Sequence, residues 1–309
     1  MEWPNKKDFA FTIFDDTDWQ TRENVREIYA LLKDFGFRTT KSVWPVKGNE
    51  KPQIGGSTCE EPEYLKWVKC LQNDGFEIGY HSNTFHRSLR DEVIFGIEKF
   101  YEYFGHYPKT MAQHTDYREC EAIYWGNYRV TPGPHEWIYN IFTRGKHKKI
   151  FTGHIERSKY FWGDICKEKI KYVRNFIFSD INTIKACPIM PYHDQERPFV
   201  NFWFASSEGA NVNSFNKCLS EKNQDRLEEE GGACIMYSHF ASGFYSNGNI
   251  NSRFQFLIKR LSKKNGWFVP ASILLDYISK IRGNHIITNK ERKQLERKWL
   301  LHKARIGST

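Results

Sequence analysis

Apolar and polar residues alternate in blocks along the chain, and the blocks repeat in the order strand, loop, helix. Residues 8–14 (DFAFTIF) form a short apolar run, which predicts a buried strand. Apolar residues then recur at helical spacing from Val25 to Phe35, and Gly36 is a natural C-terminal stop for that helix. Residues 37–44 are β-branched and aromatic and predict a second strand. This β-α-β unit indicates a parallel sheet.

The same order of elements recurs in the rest of the chain. Further helices are predicted at 61–75, 90–105, 250–266 and Ala271–Ile281, and further strands at 76–81 and 231–240. The middle, 126–232, contains two short strand-like pieces among many turn residues, so we expect insertions or substrate-binding loops there. Repeated strand-loop-helix units without a linker predict an α/β protein with one (β/α) barrel-like domain at residues 1–283.

A basic segment, residues 284–309, follows this domain and is predicted to be a helical tail. The simpler interpretation is a solvated or partly frayed terminal helix. The alternative is a peripheral contact with an anionic membrane, in which Trp299, Leu300 and Leu301 would be the apolar part.

Composition narrows the range of partners. The 309 residues carry a formal net charge of +9, which favours anionic partners such as phosphates, nucleotides or acidic lipids. Helix-turn-helix, zinc-finger and RNP-type patterns are missing, which argues against a nucleic-acid partner.

The seven cysteines form no CxxC pair, so a disulfide framework or structural zinc site is not expected. No stretch has the length of a signal peptide or a transmembrane span, and we expect a cytoplasmic protein.

Three polar clusters share a position at the carboxyl end of a predicted strand. They are Asp15-Asp16 after FAFTIF, His81 after FEIGY and His239 after CIMYS. In a β/α barrel these ends meet at one face, where active sites are assembled. Residues far apart in sequence are therefore expected to be close in space.

Carboxylates beside imidazoles suit divalent-metal chemistry. One carboxylate and two imidazoles can hold an ion with open positions, and a second carboxylate can act as base toward the bound water. Each cluster also has a simpler interpretation. An Asp-Asp pair is often a helix cap, and a single His after a strand is often a loop or core residue. Three clusters at matching strand ends favour a site.

The motifs resemble those of a known family. FTIFDDTDWQTRENVREIYALLKDFGFRTT resembles the opening of the polysaccharide deacetylase, or NodB-like, family of carbohydrate esterases, with its strand, TFDD-type motif, helix and second strand. GFEIGYHSNTFHRSL resembles the second motif, and GGACIMYSHF resembles the late strand that carries a catalytic histidine. The resemblance spans residue 8 to about residue 281. It implies a distorted (β/α) barrel of the NodB-like deacetylase type.

The resemblance also implies roles for individual residues. Asp15 would be the general base, Asp16, His81 and His86 the metal ligands, and His239 the general acid that protonates the departing amine. The family removes N-acetyl groups from amino sugars with zinc or another divalent ion. By this resemblance the chain would be a hydrolase of carbon–nitrogen (amide) bonds.

Two departures from the family's pattern affect the site. His81 and His86 are five residues apart instead of four, and an i,i+5 pair does not share a helix face. The Arg-x-Pro-Tyr type motif is absent from MAQHTDYRECEAIYWG. Candidate substrate-binding residues in that segment are His114, Asp116, Tyr124 and Trp125, and an ordinary surface loop is an equally good interpretation. Asp180 in FIFSDINT loosely matches a fourth motif, although a turn or cap is the simpler explanation.

Three functional hypotheses remain. The leading one is a metal-dependent N-deacetylase acting on a carbohydrate substrate in polysaccharide biosynthesis. Its amino sugar would be nucleotide-linked, lipid-linked or part of a glycan, and the basic charge suits a phosphate-bearing carrier. A second enzyme hypothesis keeps the fold and metal but changes the amide or glycan linkage that is cleaved. The third is a catalytically inactive carbohydrate-binding protein.

Overall fold

The computed structural model describes residues 1–51, 54–113 and 119–306. In chain order the strands are β1 (Phe9–Asp15), β2 (Thr40–Val43), β3 (Glu77–Tyr80), β4 (Thr110–Met111), β5 (Tyr172–Phe178), β6 (Tyr192–His193), β7 (Phe202–Ser207), β8 (Ala233–Ser238), β9 (Tyr245–Ser246), β10 (Asn249–Ile250), β11 (Gly266–Phe268) and β12 (His285–Ile286).

Helices surround these strands. In chain order they are α1 (Arg22–Asp34), α2 (Pro62–Asn73), α3 (Arg90–Phe104), α4 (Pro134–Phe142), α5 (Gly163–Lys169), α6 (Thr183–Ala186), α7 (Val212–Cys218), α8 (Glu221–Glu229), α9 (Ser252–Ser262), α10 (Ala271–Arg282) and α11 (Asn289–Ile306), with short 3₁₀ turns at Pro4–Lys6 and Gly126–Arg129.

Seven parallel strands form a closed barrel. Its wall runs β1, β2, β3, β4, β5, β7 and β8, and β8 pairs with β1 to close it. Outside this ring, β11 extends along the first residues of β1, while β6 and β12 continue the sheet beyond β7. The predicted (β/α) barrel is confirmed. It is distorted because the wall strands differ in length, and β4 has only two residues.

The hydrophobic pattern explains the first β-α-β unit. Every residue of β1 is buried, because the strand lies between the barrel interior and the helices. Helix α1 buries Val25, Ile28, Tyr29 and Leu32, which lie on one face at helical spacing. Gly36 follows with a φ of +79°, the left-handed conformation that favours glycine after a helix.

The middle of the chain is more regular than the sequence predicted. Residues 126–232 supply two barrel strands, β5 and β7, and five helices, α4 to α8, among the residues described. Strand β5 includes Arg174 and Asn175, both buried, which interrupt its apolar run. Strands β5 and β7 lie at the two strand-like pieces predicted in this segment, whereas its helices were not predicted.

The C-terminal tail is part of the packed structure, which corrects both interpretations made from the sequence. Trp299 of α11 is 2% exposed, and its ring packs against Phe176 at 5.0 Å and Tyr139 at 5.6 Å between ring centroids. Leu300 is also buried, and Leu301 alone of the three apolar residues is exposed. Trp299 and Leu300 are thus not available to a membrane surface. The boundary at residue 283 stays a prediction.

Two other features concern membrane-spanning helices and cysteines. Across the part of the chain that is described, no helix combines the length and apolar character needed to cross a bilayer. All seven cysteines are free thiols.

Candidate metal and catalytic site

Polar side chains from three strand ends meet at the carboxyl end of the barrel. Asp16, His81 and His239 directly follow β1, β3 and β8, respectively. Nδ1 of His81 lies 4.0 Å from Oδ1 of Asp16, and Nε2 of His239 lies 3.9 Å from Oδ2 of Asp16. The structure thus brings together three residues that are 65 to 223 positions apart in sequence.

Asp18 completes this group, although the sequence reasoning missed it. Its Oδ1 lies 3.4 Å from Nε2 of His81, and its Oδ2 lies 2.7 Å from Nε2 of His239. Asp16, Asp18 and His81 are all buried, and each offers a ligand atom within 4.8 Å of the others'. The signal was present in the sequence as the third acidic residue of DDTD. The pattern alone does not say which of the three acids face the barrel.

Arg174 of β5 is a second member of the site that sequence reasoning missed. Its Nη1 donates to Oδ1 of Asp16 at 2.8 Å, and its Nη2 donates to Oδ2 of the same carboxylate. The guanidinium also lies over the ring of Tyr237, 4.4 Å from the centroid. Arg174 is 2% exposed, and a bidentate contact of this kind fixes the orientation of a carboxylate. A charged residue inside a mainly apolar strand is the available sequence signal.

His239 is held through both ring nitrogens. Nε2 faces Asp18 at 2.7 Å, and Nδ1 faces the carbonyl oxygen of Ala210 at 3.1 Å. Because both neighbours are acceptors, the contacts suit an imidazolium that donates from each nitrogen. Burial works against this charge, but the hydrogen bond and charge of Asp18 outweigh it and raise the pKa of His239. The ring is therefore oriented with a proton in place.

Asp15 has a different environment from its neighbour. Its Oδ1 accepts hydrogen bonds from Gln20 Nε2 at 2.8 Å and from the Phe240 N–H at 2.9 Å, and its Oδ2 accepts one from the Tyr29 hydroxyl at 2.6 Å. Burial raises the pKa of Asp15 to about 6, against the lowering effect of these donors and of Lys41. The structure does not bring Asp15 into the cluster of possible metal ligands.

Lys41 of β2 is a buried amine beside the site. It donates from Nζ to Thr17 Oγ1 at 3.0 Å and to the Ser42 carbonyl at 2.7 Å. Burial lowers the pKa of Lys41 to about 8, and the charge of Asp15 is the main influence in the opposite direction. Like Arg174, Lys41 is a basic residue within a strand, and this is the only sequence signal for it.

His86 lies in a loop and not with the ligand cluster. Its Nε2 accepts from the backbone N–H groups of Asn49 at 3.1 Å and Glu50 at 3.2 Å, and its Nδ1 lies 2.6 Å from the Arg87 carbonyl. These contacts suit a ring whose Nε2 accepts and whose Nδ1 donates. Both nitrogens are therefore engaged by the loop, and the segment from His81 to His86 is not a helix.

The remaining predicted residues fall in several environments. His114 and Asp116 lie outside the described residues. Tyr124 is buried, with its N–H 3.1 Å from His154 Nδ1 and its ring tilted by 37° against the same histidine, at 4.2 Å between ring centroids. Trp125 lines a cavity beside Arg174.

Asp180 has the contacts of a turn residue. Its Oδ1 accepts hydrogen bonds from the Asn182 N–H at 3.0 Å and from Arg226 at 2.9 Å. These contacts agree with the simpler explanation given from the sequence.

Comparison with known proteins identifies the fold. No family model and no curated protein sequence matches the chain. Among solved structures, it is similar to the PuuE allantoinase, with a TM-score of 0.51, 12% identity, and coverage of 90% of this chain and 93% of that one. It also matches a Mycobacterium smegmatis protein described as a polysaccharide deacetylase, with a TM-score of 0.49, 12% identity, and coverage of 94% and 96%. The Bacillus subtilis peptidoglycan deacetylase PdaC matches with a TM-score of 0.40, 14% identity, and coverage of 96% and 99%. The similarity to the PuuE allantoinase agrees with the closed, distorted (β/α) barrel seen in the chain, which its resemblance to the NodB-like deacetylases implied.

Proposed function

We propose that this protein is a metal-dependent hydrolase that cleaves the amide bond of an N-acetylated amino sugar. The observation that carries the proposal is the buried group of Asp16, Asp18 and His81, beside His239, at the carboxyl end of the barrel. In β/α barrels this end carries the active site. The order of the sequence motifs supports the choice of substrate class.

The ligand group fits a divalent ion. Two carboxylates and one imidazole are donors that zinc and similar ions accept, and three protein ligands leave positions for water and substrate. In this assignment Asp18 takes the position that the resemblance gave to His86. Such an ion, when bound, would activate a water molecule and polarise the amide carbonyl.

The surrounding residues prepare the site for proton transfer. Arg174 fixes the carboxylate of Asp16 through two hydrogen bonds. His239, with a proton on each ring nitrogen, would protonate the departing amine as general acid. Asp15 as general base stays a prediction, and its carboxylate already accepts three hydrogen bonds. A cytoplasmic location and a role in polysaccharide biosynthesis also stay predictions.

Metal binding is the first test. We expect the purified protein, loaded separately with zinc, manganese or cobalt, to retain about one ion per chain by elemental analysis. Alanine at Asp18 or His81 should weaken retention at least tenfold. His86→Ala is the matched control, and it should retain the ion because His86 lies in the loop. Loss of the ion with His86→Ala, but not with Asp18→Ala, would restore the ligand set implied by the resemblance.

Turnover is the second test. Release of free amine from N-acetylated sugars should depend on the ion. His239→Ala should lower kcat by roughly 10²–10⁴-fold without loss of the ion, which is the usual contribution of a general acid. An ion-loaded protein that binds sugars but never releases amine would contradict the proposal and favour a binding protein. Cleavage of a different linkage would favour the second enzyme hypothesis.

A further inference from the structure

A cavity of about 480 Å³ adjoins the candidate site. Arg174 and Tyr237 line it, and both also contact the site. Arg174 holds Asp16, and the Tyr237 hydroxyl lies 3.4 Å from Nδ1 of His239. A volume of this size suits a small-molecule ligand. The cavity therefore shares two wall residues with the surroundings of the proposed reaction centre.

The cavity has a basic lining. Its charged side chains are Arg129, Arg144, Lys146, Arg174 and Lys303, and none of the described lining residues is acidic. Arg174 is already paired with Asp16, whereas Arg144 and Lys146 are exposed at the rim. A concave surface with charges of one sign concentrates ions of the opposite sign. The lining therefore selects for an anion.

Arg129 is the strongest single indication of a ligand. Its side chain is 8% exposed, and its guanidinium carbon lies 3.3 Å from the ring centroid of Trp125 and 5.2 Å from that of Trp299. Nε and Nη2 of Arg129 have no hydrogen-bond partner, and no acidic side chain of the described residues forms an ion pair with it. Buried N–H groups without acceptors are costly, and a bound anion would supply acceptors to them.

Aromatic rings form the other part of the wall. Trp125, Tyr139 and Trp299 all line the cavity. Arg129 lies over the ring of Trp125, and Trp299 packs on Tyr139, so these rings form apolar walls around the guanidinium. A buried guanidinium between apolar walls suits an anion that is attached to a group with apolar surface, such as a sugar ring.

We propose that this cavity binds the phosphate of a phosphorylated sugar, with Arg129 as the main contact and Arg144 and Lys146 at the entrance. Arginine suits this role because its planar fork donates two parallel hydrogen bonds to phosphate oxygens. The inference deepens the proposed function and rests on it for the identity of the sugar. Phosphate binding in the cavity does not depend on turnover.

Calorimetry on the full-length protein tests the proposal. The probes are N-acetylglucosamine, its 1-phosphate and its uridine diphosphate ester. We expect both phosphorylated probes to bind at least tenfold more tightly than the free sugar at low salt. Tighter binding of the nucleotide ester than of the monophosphate would identify a nucleotide carrier, and equal binding would identify a simple phosphate ester. Equal affinity for all three probes would overturn the proposal.

Charge variants show where the phosphate binds. Arg129→Gln should weaken binding of the 1-phosphate by 10- to 100-fold and leave the affinity for the free sugar unchanged. Lys69→Gln, on the exposed face of α2, is the control that removes one positive charge elsewhere. The double variant Arg144→Gln/Lys146→Gln changes only exposed residues, so it keeps the test valid if Arg129→Gln does not fold. Unchanged affinity in the double variant and in any folded Arg129 variant would overturn the proposal.

The two proposals can fail separately. If phosphate-dependent binding is found but no amine is released, the cavity assignment stands and the proposed hydrolase function is wrong. If amine is released equally from free and phosphorylated sugars, and binding does not depend on phosphate, the hydrolase function stands and the cavity assignment is wrong.

Discussion

Asp15 and Asp16 are adjacent in sequence but have different partners. Successive side chains at a strand point to opposite faces. Accordingly, Asp15 is bonded to Tyr29 of α1, while Asp16 is bonded to Arg174 inside the barrel. The pair is therefore divided between two tasks. Asp15 ties the end of β1 to its surroundings, and Asp16 belongs to the candidate ligand group.

The bond between Tyr29 and Asp15 predicts a measurable stability effect. Tyr29→Phe should lower the free energy of unfolding by about 1.5–3 kcal/mol at pH 7, because it removes a hydrogen bond to a buried charged group. Tyr107→Phe is the control, since that hydroxyl bonds the exposed Glu98, and it should change stability by less than ~0.5 kcal/mol. If Tyr29→Phe and Tyr107→Phe have equal effects in urea denaturation, the hydrogen bond to Asp15 stabilises the protein no more than an exposed one does.

His154 predicts a pH effect on stability. Burial, followed by the charge of Arg197, lowers the pKa of His154 from 6.5 to about 3. Between these values the unfolded chain takes up a proton that the folded chain does not. Stability should therefore fall as the pH drops from 6.5 towards 3, by up to ~1.4 kcal/mol per pH unit from this residue.

Variants isolate the contribution of His154 from that of other titrating groups. His154→Gln should make the plot of unfolding free energy against pH shallower by the slope of one proton. His106→Gln, at an exposed histidine, is the matched control for the loss of an imidazole. If the slope of His154→Gln equals that of the wild type, His154 is not neutral in the folded protein.

At the scale of elements, the loops after the strands decide which histidine enters the site. His81 follows β3 directly and is held near Asp16 by the strand. His86 comes after a loop in which Ser82 has a φ of +60°, and it binds the backbone of Asn49 and Glu50 instead. The loop therefore uses His86 to connect two segments that follow β2 and β3.

Gly48 tests this role of the loop. It has a φ of +76°, and a Cβ there would lie 2.1 Å from Nε2 of His86, so Gly48→Ala should displace the ring. Gly36 has a φ of +79° with no atom near its Cβ position, so Gly36→Ala carries only the backbone strain. We expect Gly48→Ala to be less stable than Gly36→Ala by roughly 1–3 kcal/mol in denaturant titrations. Equal losses in the free energy of unfolding would show that displacing His86 does not affect stability.

At the scale of the whole molecule, α11 packs against the barrel. Trp299 packs on Phe176 of β5 and Tyr139 of α4. Glu296 is fully buried and accepts hydrogen bonds from Thr131, at 2.7 Å from the N–H and 2.8 Å from the hydroxyl. These contacts join the last helix to segments more than 100 residues earlier, so the tail should unfold together with the barrel.

Truncation of side chains in α11 checks this expectation. Trp299→Ala should lower the free energy of unfolding by about 3–5 kcal/mol, because it leaves a large cavity in the core. Leu301, two positions away, is 62% exposed. Leu301→Ala should therefore change the free energy of unfolding by less than ~0.5 kcal/mol. Similar small effects for both variants, or a separate early transition for the tail, would contradict integration of α11.

The sequence by itself determined the alternation of strands and helices, the barrel class and the strand ends that carry Asp16, His81 and His239. Local hydrophobic spacing encodes these features, because a helix or strand needs an apolar face to be buried, irrespective of which element packs against that face. Tertiary structure decided the rest. Asp18 and Arg174 join the site, and α11 joins the core, through contacts between segments that are distant in sequence. No local sequence pattern specifies such contacts. Each contact depends on how two elements, distant in sequence, are oriented toward each other in the folded barrel.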